Sequence, residues 1–294
     1  MGSLDLSENS ITERKKVTVA DFSKMKTQGQ RIVMLTSYDY PTSIIADDVG
    51  VDSILVGDSY GMVVLGYDTT IPVTIEELIP VCQAVKRGAS HPLLIGDMPF
   101  LSFQVSEEDA IRNAGRFIKE GRMEAVKIEG GKEMAHIAKA VANAGIHVLG
   151  HIGLTPQTAT LHGGYRIQGK NARSGNGLID DAKSLEDAGV FGIVLEMITE
   201  EVARAITETV SVPTIGIGSG RYCDGQVLVL HDILGLYPRF VPKFAKRYTD
   251  LASSIRGAVK EYASEVRLGI FPEEKHVFKM DNSERDKLEA RQKS

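Results

Sequence analysis

The 294-residue sequence predicts an α/β protein folded as a (β/α)8 barrel. Three observations carry that reading. Strand-like and helix-like stretches alternate through the chain with no linker-like segment between them. Four of the strand-like runs are rich in Ile, Leu and Val along their length, as strands covered on both faces are. The same four end on an acid: SILVGD at Asp58, LLIGD at Asp97, AVKIE at Glu129 and GIVLE at Glu196. A carboxylate at the end of a buried strand is costly unless it has a partner. Ligands of α/β proteins bind at that end of the sheet, so four such acids point to a pocket. A doubly wound sheet is the competing architecture, but its G-x-G-x-x-G turn is missing. The stretch IGIGSGR places Gly216, Gly218 and Gly220 at another spacing.

The elements follow in order. Residues 1–17 form a polar arm, 18–278 the barrel, and 279–294 a polar tail with almost no large apolar side chain. Strands are expected at Ile32–Ser37, Ser53–Gly57, Pro92–Gly96, Ala125–Ile128, His147–Gly150, Phe191–Leu195, Thr214–Ile217 and Val227–His231. Between them Pro41–Val49 reads as a short helix. Ile75–Arg87 follows a capping pair, Thr74 with Glu77, and Glu107–Glu120 follows another, Ser106 with Asp109. Lys132–Ala144, Leu178–Ala188 and Glu200–Val210 each close near a small residue, at Gly145, Gly189 and Ser211. A longer amphipathic pattern at Ala245–Val266 stops before Gly269.

Composition narrows the function classes. Hydrophobic content of 43% and charged content of 25% are those of an ordinary globular protein. A net charge of -5 argues against nucleic acid and anionic membrane surfaces as partners. Two cysteines, Cys82 and Cys223, supply neither a disulfide framework nor a metal-type spacing, which fits a reducing compartment. No apolar stretch reaches the length of a membrane span, and the first residues lack a signal-peptide core, so a cytoplasmic location is expected.

Asp58, Asp97 and Glu129 close the second, third and fourth strands, and neighbouring barrel strands end side by side. One such acid is read most simply as a helix cap or an ion-pair partner. Three on adjacent strands repel one another unless a cation compensates, and oxygen-only ligation favours a hard ion, Mg2+ first. Lys127 lies two residues before Glu129 and shares its face. Acids beside it raise its pKa, so it reads as an anion anchor rather than an imine-forming amine. Ser59 is placed to donate to an anionic substrate, the alternative being a cap, and Tyr38 and Asp39 are weaker candidates of the same kind. His151 ends the fifth strand at the same rim and supports the pocket. Glu196, on the sixth strand and nearly opposite the second and third, is placed as a general base. His231 and Asp232 repeat the argument more faintly. A hard ion with open positions can chelate a 2-oxo acid and stabilise its enolate, which points to aldol-type chemistry beside a carbonyl.

The motifs resemble one family. TSYDY (36–40), VGDSYGM (56–62), DTTIPVT (68–74), GDMPF (96–100), VKIEGG (126–131), GHIGLTPQ (150–157), GGYRIQG (163–169), IGIGSG (215–220), DGQVLVLHD (224–232) and PKFAK (242–246) are similar to the ketopantoate hydroxymethyltransferases. The resemblance spans residues 18–278 and implies a barrel of the phosphoenolpyruvate/pyruvate-binding type. It implies transfer of a hydroxymethyl group from 5,10-methylenetetrahydrofolate to 3-methyl-2-oxobutanoate, the first committed step of pantothenate synthesis. It also implies Mg2+ contacts from Asp58, Asp97 and Glu129, and substrate contacts from Asp58, Ser59, Asp97 and Lys127. Glu196 is the implied proton acceptor, His151 has a supporting place in the pocket, and homo-oligomers, typically decamers, are expected. Arg122-Met123 replaces the small residues common before the fourth strand, and the tail has no counterpart. The main competitor is a metal-dependent C–C lyase or aldolase acting on another small 2-oxo acid. Lyases of that superfamily carry a K-[KR]-C-G-H motif, which this chain lacks. A non-catalytic barrel is disfavoured by the intact carboxylates.

Overall fold

A computed structural model of the chain describes residues 14–162, 164–237 and 242–292. Most of the arm and Gly163 of the GGYRIQG motif lie outside the described residues. The chain enters through α1 (Val19–Thr27), β1 (Ile32–Thr36), α2 (Tyr40–Asp48), β2 (Ser53–Val56), the short α3 (Tyr60–Val63) and α4 (Ile75–Gly88). It continues through β3 (Leu93–Asp97), α5 (Glu107–Lys119), β4 (Ala125–Glu129), α6 (Ala135–Asn143) and β5 (His147–Gly153). The second half holds α7 (Ala172–Asp187), β6 (Gly192–Glu196), α8 (Glu200–Thr209), β7 (Thr214–Ile217) and β8 (Gly225–Leu228). It ends with the short α9 (Leu230–Ile233), α10 (Leu251–Leu268) and α11 (Asn282–Gln292). The eight strands are parallel and close in sequence order, β8 returning to β1 through Ile32 opposite Gly225. This is the predicted (β/α)8 barrel.

Strand alternation sorts the side chains into two cores. One set points inward: Ile32, Met34, Leu55, Leu93, Ile95, Ala125, Leu149, Val194, Ile215 and Val227 fill the barrel. The other set, with Ile54, Val56, Leu94, Val126, Ile128 and Val148 among it, packs against the helices. Helix α1 closes the lower mouth. Its Phe22 is fully buried among the inward residues and meets Phe191 edge to face at 5.7 Å between ring centres. Sequence periodicity misses α1 because Phe22 is its single buried residue, too little for an amphipathic stripe.

Other differences have local causes. The helix read at Leu178–Ala188 starts at Ala172, because Asn171 caps it by accepting the Ser174 N–H at 2.9 Å. Gly175 in that added turn looks like a breaker, but a Cβ there would lie 2.9 Å from Val202, so it serves close packing against α8. The eighth strand is Gly225–Leu228, drawn earlier by its pairing with both β1 and β7, and His231 falls in α9. Helix α10 begins at Leu251, not Ala245, because Asp250 caps it through the Ser253 N–H. The polar tail contains α11, whose residues Asn282 to Arg291 are exposed.

Candidate active site

The upper rim of the barrel gathers the predicted residues. On β3 the inward positions run Leu93, Ile95, Asp97, and on β4 they run Ala125, Lys127, Glu129, so each strand passes from apolar to charged as it reaches the rim. Pairing places Asp97 beside Lys127 and Glu129 beside His151. Asp58 stands two residues past β2, where its backbone N–H donates to Asp97 Oδ2 at 3.0 Å. Lys127 Nζ lies 2.8 Å from Asp97 Oδ1 and 3.2 Å from Glu129 Oε1. The first contact is ionic but poorly aligned, leaving Asp97 Oδ1 buried without a hydrogen-bond donor.

His151 links the cluster to Glu196. Its Nδ1 is 3.3 Å from Glu129 Oε1 and its Nε2 is 3.2 Å from Glu196 Oε2, the latter also short of hydrogen-bond alignment. Glu196 thus joins the other acids through its neighbouring strand while facing them across the mouth. Its side chain is 16% exposed, against 2–5% for Asp97, Lys127, Glu129 and His151. It is the acid in this group most accessible from the pocket.

Electrostatics divides the acids further. Burial would raise the Glu129 carboxyl, but Lys127 and His151 beside it, with the Gln157 N–H, hold it down at about 2. Burial and the Lys127 charge oppose a cationic His151, yet its bonds to Glu129 and Glu196 raise it to about 9. In that state Lys127 Nζ and His151 Nδ1, 3.2 Å apart, are two donors sharing one acceptor, Glu129 Oε1. Lys127 is raised above its usual value because Asp97, Glu129 and Asp58 outweigh its burial. Asp58 is pushed well up by burial and by repulsion from Asp97 and Glu129, and Asp97 is raised by burial despite Lys127. Lys127 therefore bridges Asp97 and Glu129, His151 stands between Glu129 and Glu196, and Asp58 has no ion pair among the described residues, so acids outnumber bases in the cluster.

That imbalance tests the site for a metal. Among the described residues no three His, Cys, Asp or Glu side chains stand as a ready-made ligand set. Glu129 is committed to Lys127, His151 and the Gln157 N–H. Asp97 is ion-paired with Lys127 through Oδ1, which lacks an aligned hydrogen-bond donor, and Asp58 has no ion pair among the described residues. Carboxylate oxygens crowded in this way fit a hard divalent cation.

Gln157 is a pocket residue that sequence reading quoted within GHIGLTPQ but gave no role. Its side-chain amide donates to Asp58 Oδ2 at 3.0 Å and to Met98 O at 2.9 Å. Its backbone N–H donates to Glu129 Oε2 at 3.1 Å, so one buried residue ties two of the acids together. Only the PQ after strand five hinted at it. Ser59 does not cap α3, and its hydroxyl is 2.7 Å from Tyr38 Oη. Asp39, by contrast, caps α2 through the Thr42 N–H, and His231 and Asp232 lie in α9. Both cysteine thiols are buried and pushed up by burial, Cys223 to about 11, which suits packing rather than nucleophilic work.

Comparison with known proteins identifies the family and the fold. The profile of the Ketopantoate hydroxymethyltransferase family matches residues 16–274. The 3-methyl-2-oxobutanoate hydroxymethyltransferase of Carboxydothermus hydrogenoformans is 54% identical over 265 residues, 90% of this chain and 96% of that one. The enzyme of the same name from Heliobacterium modesticaldum is 53% identical over 268 residues, 91% and 97% of the two chains. Among solved structures, a phosphonopyruvate hydrolase in complex with oxalate and Mg2+ superposes with a TM-score of 0.59 at 11% identity, covering 94% of this chain and 96% of that one. 2,3-Dimethylmalate lyase, a member of the PEP mutase/isocitrate lyase superfamily, gives 0.57 at 15% identity, covering 93% and 98%. At such identities these two establish the shared barrel alone.

Proposed function

This chain belongs to the ketopantoate hydroxymethyltransferase family and is a hydroxymethyl-transferring enzyme, and from that premise we propose how its pocket works. The substrates are 3-methyl-2-oxobutanoate and, as one-carbon donor, 5,10-methylenetetrahydrofolate; the product is 2-dehydropantoate. The observation that carries the reading is the gathering of Asp58, Asp97 and Glu129 around the Lys127 ammonium at one rim. Asp58 and Asp97, with Glu129 next to them, would hold Mg2+, and the chemistry it would supply there is Lewis-acid polarisation of the keto group of the oxo acid.

The chain's own groups do the rest. Lys127 stays charged among three acids and gives the anionic substrate a fixed cation, and Ser59 donates a hydrogen bond to it. Glu196, open to the pocket, removes the proton at C3 of the oxo acid. His151 holds the Glu196 carboxylate in place at 3.2 Å and ties it to Glu129. The carbanion then attacks the methylene carbon of the folate, opened as an iminium, and forms the new C–C bond. Water supplies the hydroxyl group as tetrahydrofolate leaves.

The wider setting follows the same reading. No helix among the described residues is long and apolar enough to cross a membrane, in keeping with a cytoplasmic enzyme. The chain works as a homo-oligomer, and the exposed apolar side chains Ile255, Val259 and Val266 on α10 support that. Deuterium exchange at C3 of 3-methyl-2-oxobutanoate, with and without Mg2+, tests the chemistry before any folate is added. Mg2+-dependent exchange is expected; no exchange would favour a barrel that binds without turning over. Adding candidate one-carbon carriers to the exchanging enzyme then identifies the donor, with 2-dehydropantoate formed from methylenetetrahydrofolate.

A further inference from the structure

We propose that Tyr38 is a positioning residue that aims the Ser59 hydroxyl proton into the pocket. This rests on Ser59 being a substrate contact. Tyr38 is 5% exposed, held between the Tyr60 and His231 rings at 5.7 and 5.6 Å between centres, so its phenol has little freedom to turn. A buried O–H must donate to something or its desolvation is uncompensated. The acceptor in hydrogen-bond contact is Ser59 Oγ, 2.7 Å away.

With Tyr38 as the donor, Ser59 accepts on one of its lone pairs and keeps its own proton for a group in the pocket. The opposite polarity would aim a serine lone pair at an anion in a pocket already rich in acids. Ser59 makes no cap bond to α3, so helix geometry does not fix its rotamer, and Tyr38 does. The polarity matters most for a carboxylate-bearing substrate, which needs a donor at that place.

The test is a double-mutant cycle with Tyr38→Phe and Ser59→Ala, reading kcat and KM for 3-methyl-2-oxobutanoate, with thermal melts confirming that each variant is folded. Tyr38→Phe removes one oxygen and keeps the ring stack. It is expected to raise KM about three- to tenfold, the effect of one hydrogen bond, with kcat within about twofold. Ser59→Ala should raise KM comparably, and the double variant should be no worse than Ser59→Ala alone, because Tyr38 acts only through Ser59. A normal KM for Tyr38→Phe, or losses that multiply in the double variant, would overturn the positioning role while leaving Ser59 as a contact. A normal KM for Ser59→Ala would instead remove Ser59 from the site and the Tyr38 role with it. A direct titration of the oxo acid into folded Tyr38→Phe separates weakened binding from altered turnover.

Discussion

At the scale of single residues, the pocket is a ledger of charge, and two side chains test it. Glu196 reaches the pocket while its partner His151 does not, so Glu196→Gln should lower turnover about a hundredfold or more. Oxo-acid affinity should barely change, because the neutral amide keeps the shape; unchanged turnover in steady-state assays would remove Glu196 as the base. Lys127 is nearly buried between Asp97 and Glu129, so Lys127→Met strands two acids. Breaking a buried pair in this way costs about 3 kcal/mol or more, read as a lower denaturant midpoint at neutral pH. Losing the cation raises both acids, so the deficit should shrink as pH falls and they take up protons. A constant deficit from pH 8 to pH 5 would show that Lys127 contributes by packing alone. The acids were legible in the sequence because each ends an apolar run, and Lys127 because it shares a strand face with Glu129 two residues on. Gln157 was not: its three hydrogen bonds join β2, β3 and β4, and nothing local marks them.

At the scale of elements, close approach between neighbours places the base. Gly153 ends β5 with φ +101, and a Cβ there would sit 2.3 Å from the Glu196 carbonyl oxygen. The next residue, Leu154, donates its N–H to that same oxygen at 2.8 Å. Gly153→Ala should therefore cost several kcal/mol through strained φ and overpacking, about 1–3 kcal/mol from each. It should also lower turnover in whatever fraction stays folded, since Glu196 must shift. A variant with a wild-type melt would refute the tight fit. A second junction is ionic: Asp47 at the end of α2 accepts the Ser90 N–H at 2.7 Å and contacts His91 Nδ1 at 2.9 Å and Arg14 Nη1 at 3.2 Å. Burial works against its charge, but the Ser90 and His91 bonds prevail and hold its pKa below the ordinary 3.8. A depressed folded value means the stabilisation is complete above the ordinary range and is lost as pH drops through the folded value. Wild type should then lose stability more steeply than Asp47→Asn below about pH 4, with parallel acid unfolding curves as the contrary result.

At the scale of the whole molecule, α10 contributes no side chain to the barrel core. It has no buried residue, and Ile255, Val259, Tyr262 and Val266, spaced by four, three and four, are 45–59% exposed along one face. Such a stripe on a helix of this length normally packs against something. Under the proposed homo-oligomer, Val259→Glu should lower the assembly mass in sedimentation or light scattering. An unchanged mass would place the subunit contacts elsewhere.

Period-two and helical patterning, with capping pairs such as Thr74 and Glu77, determined the barrel from the sequence alone, because local hydrogen bonding and burial leave a periodic trace. The same patterning put Asp58, Asp97, Glu129 and Glu196 at one rim, since parallel strands share a direction. What tertiary structure alone decided is which charges compensate which. Lys127 bridges Asp97 and Glu129, His151 lies between Glu129 and Glu196, and Asp58 has no ion pair among the described residues. That division depends on ångström separations between strands distant in sequence, and Coulomb energy and hydrogen-bond direction are set there rather than by spacing along the chain.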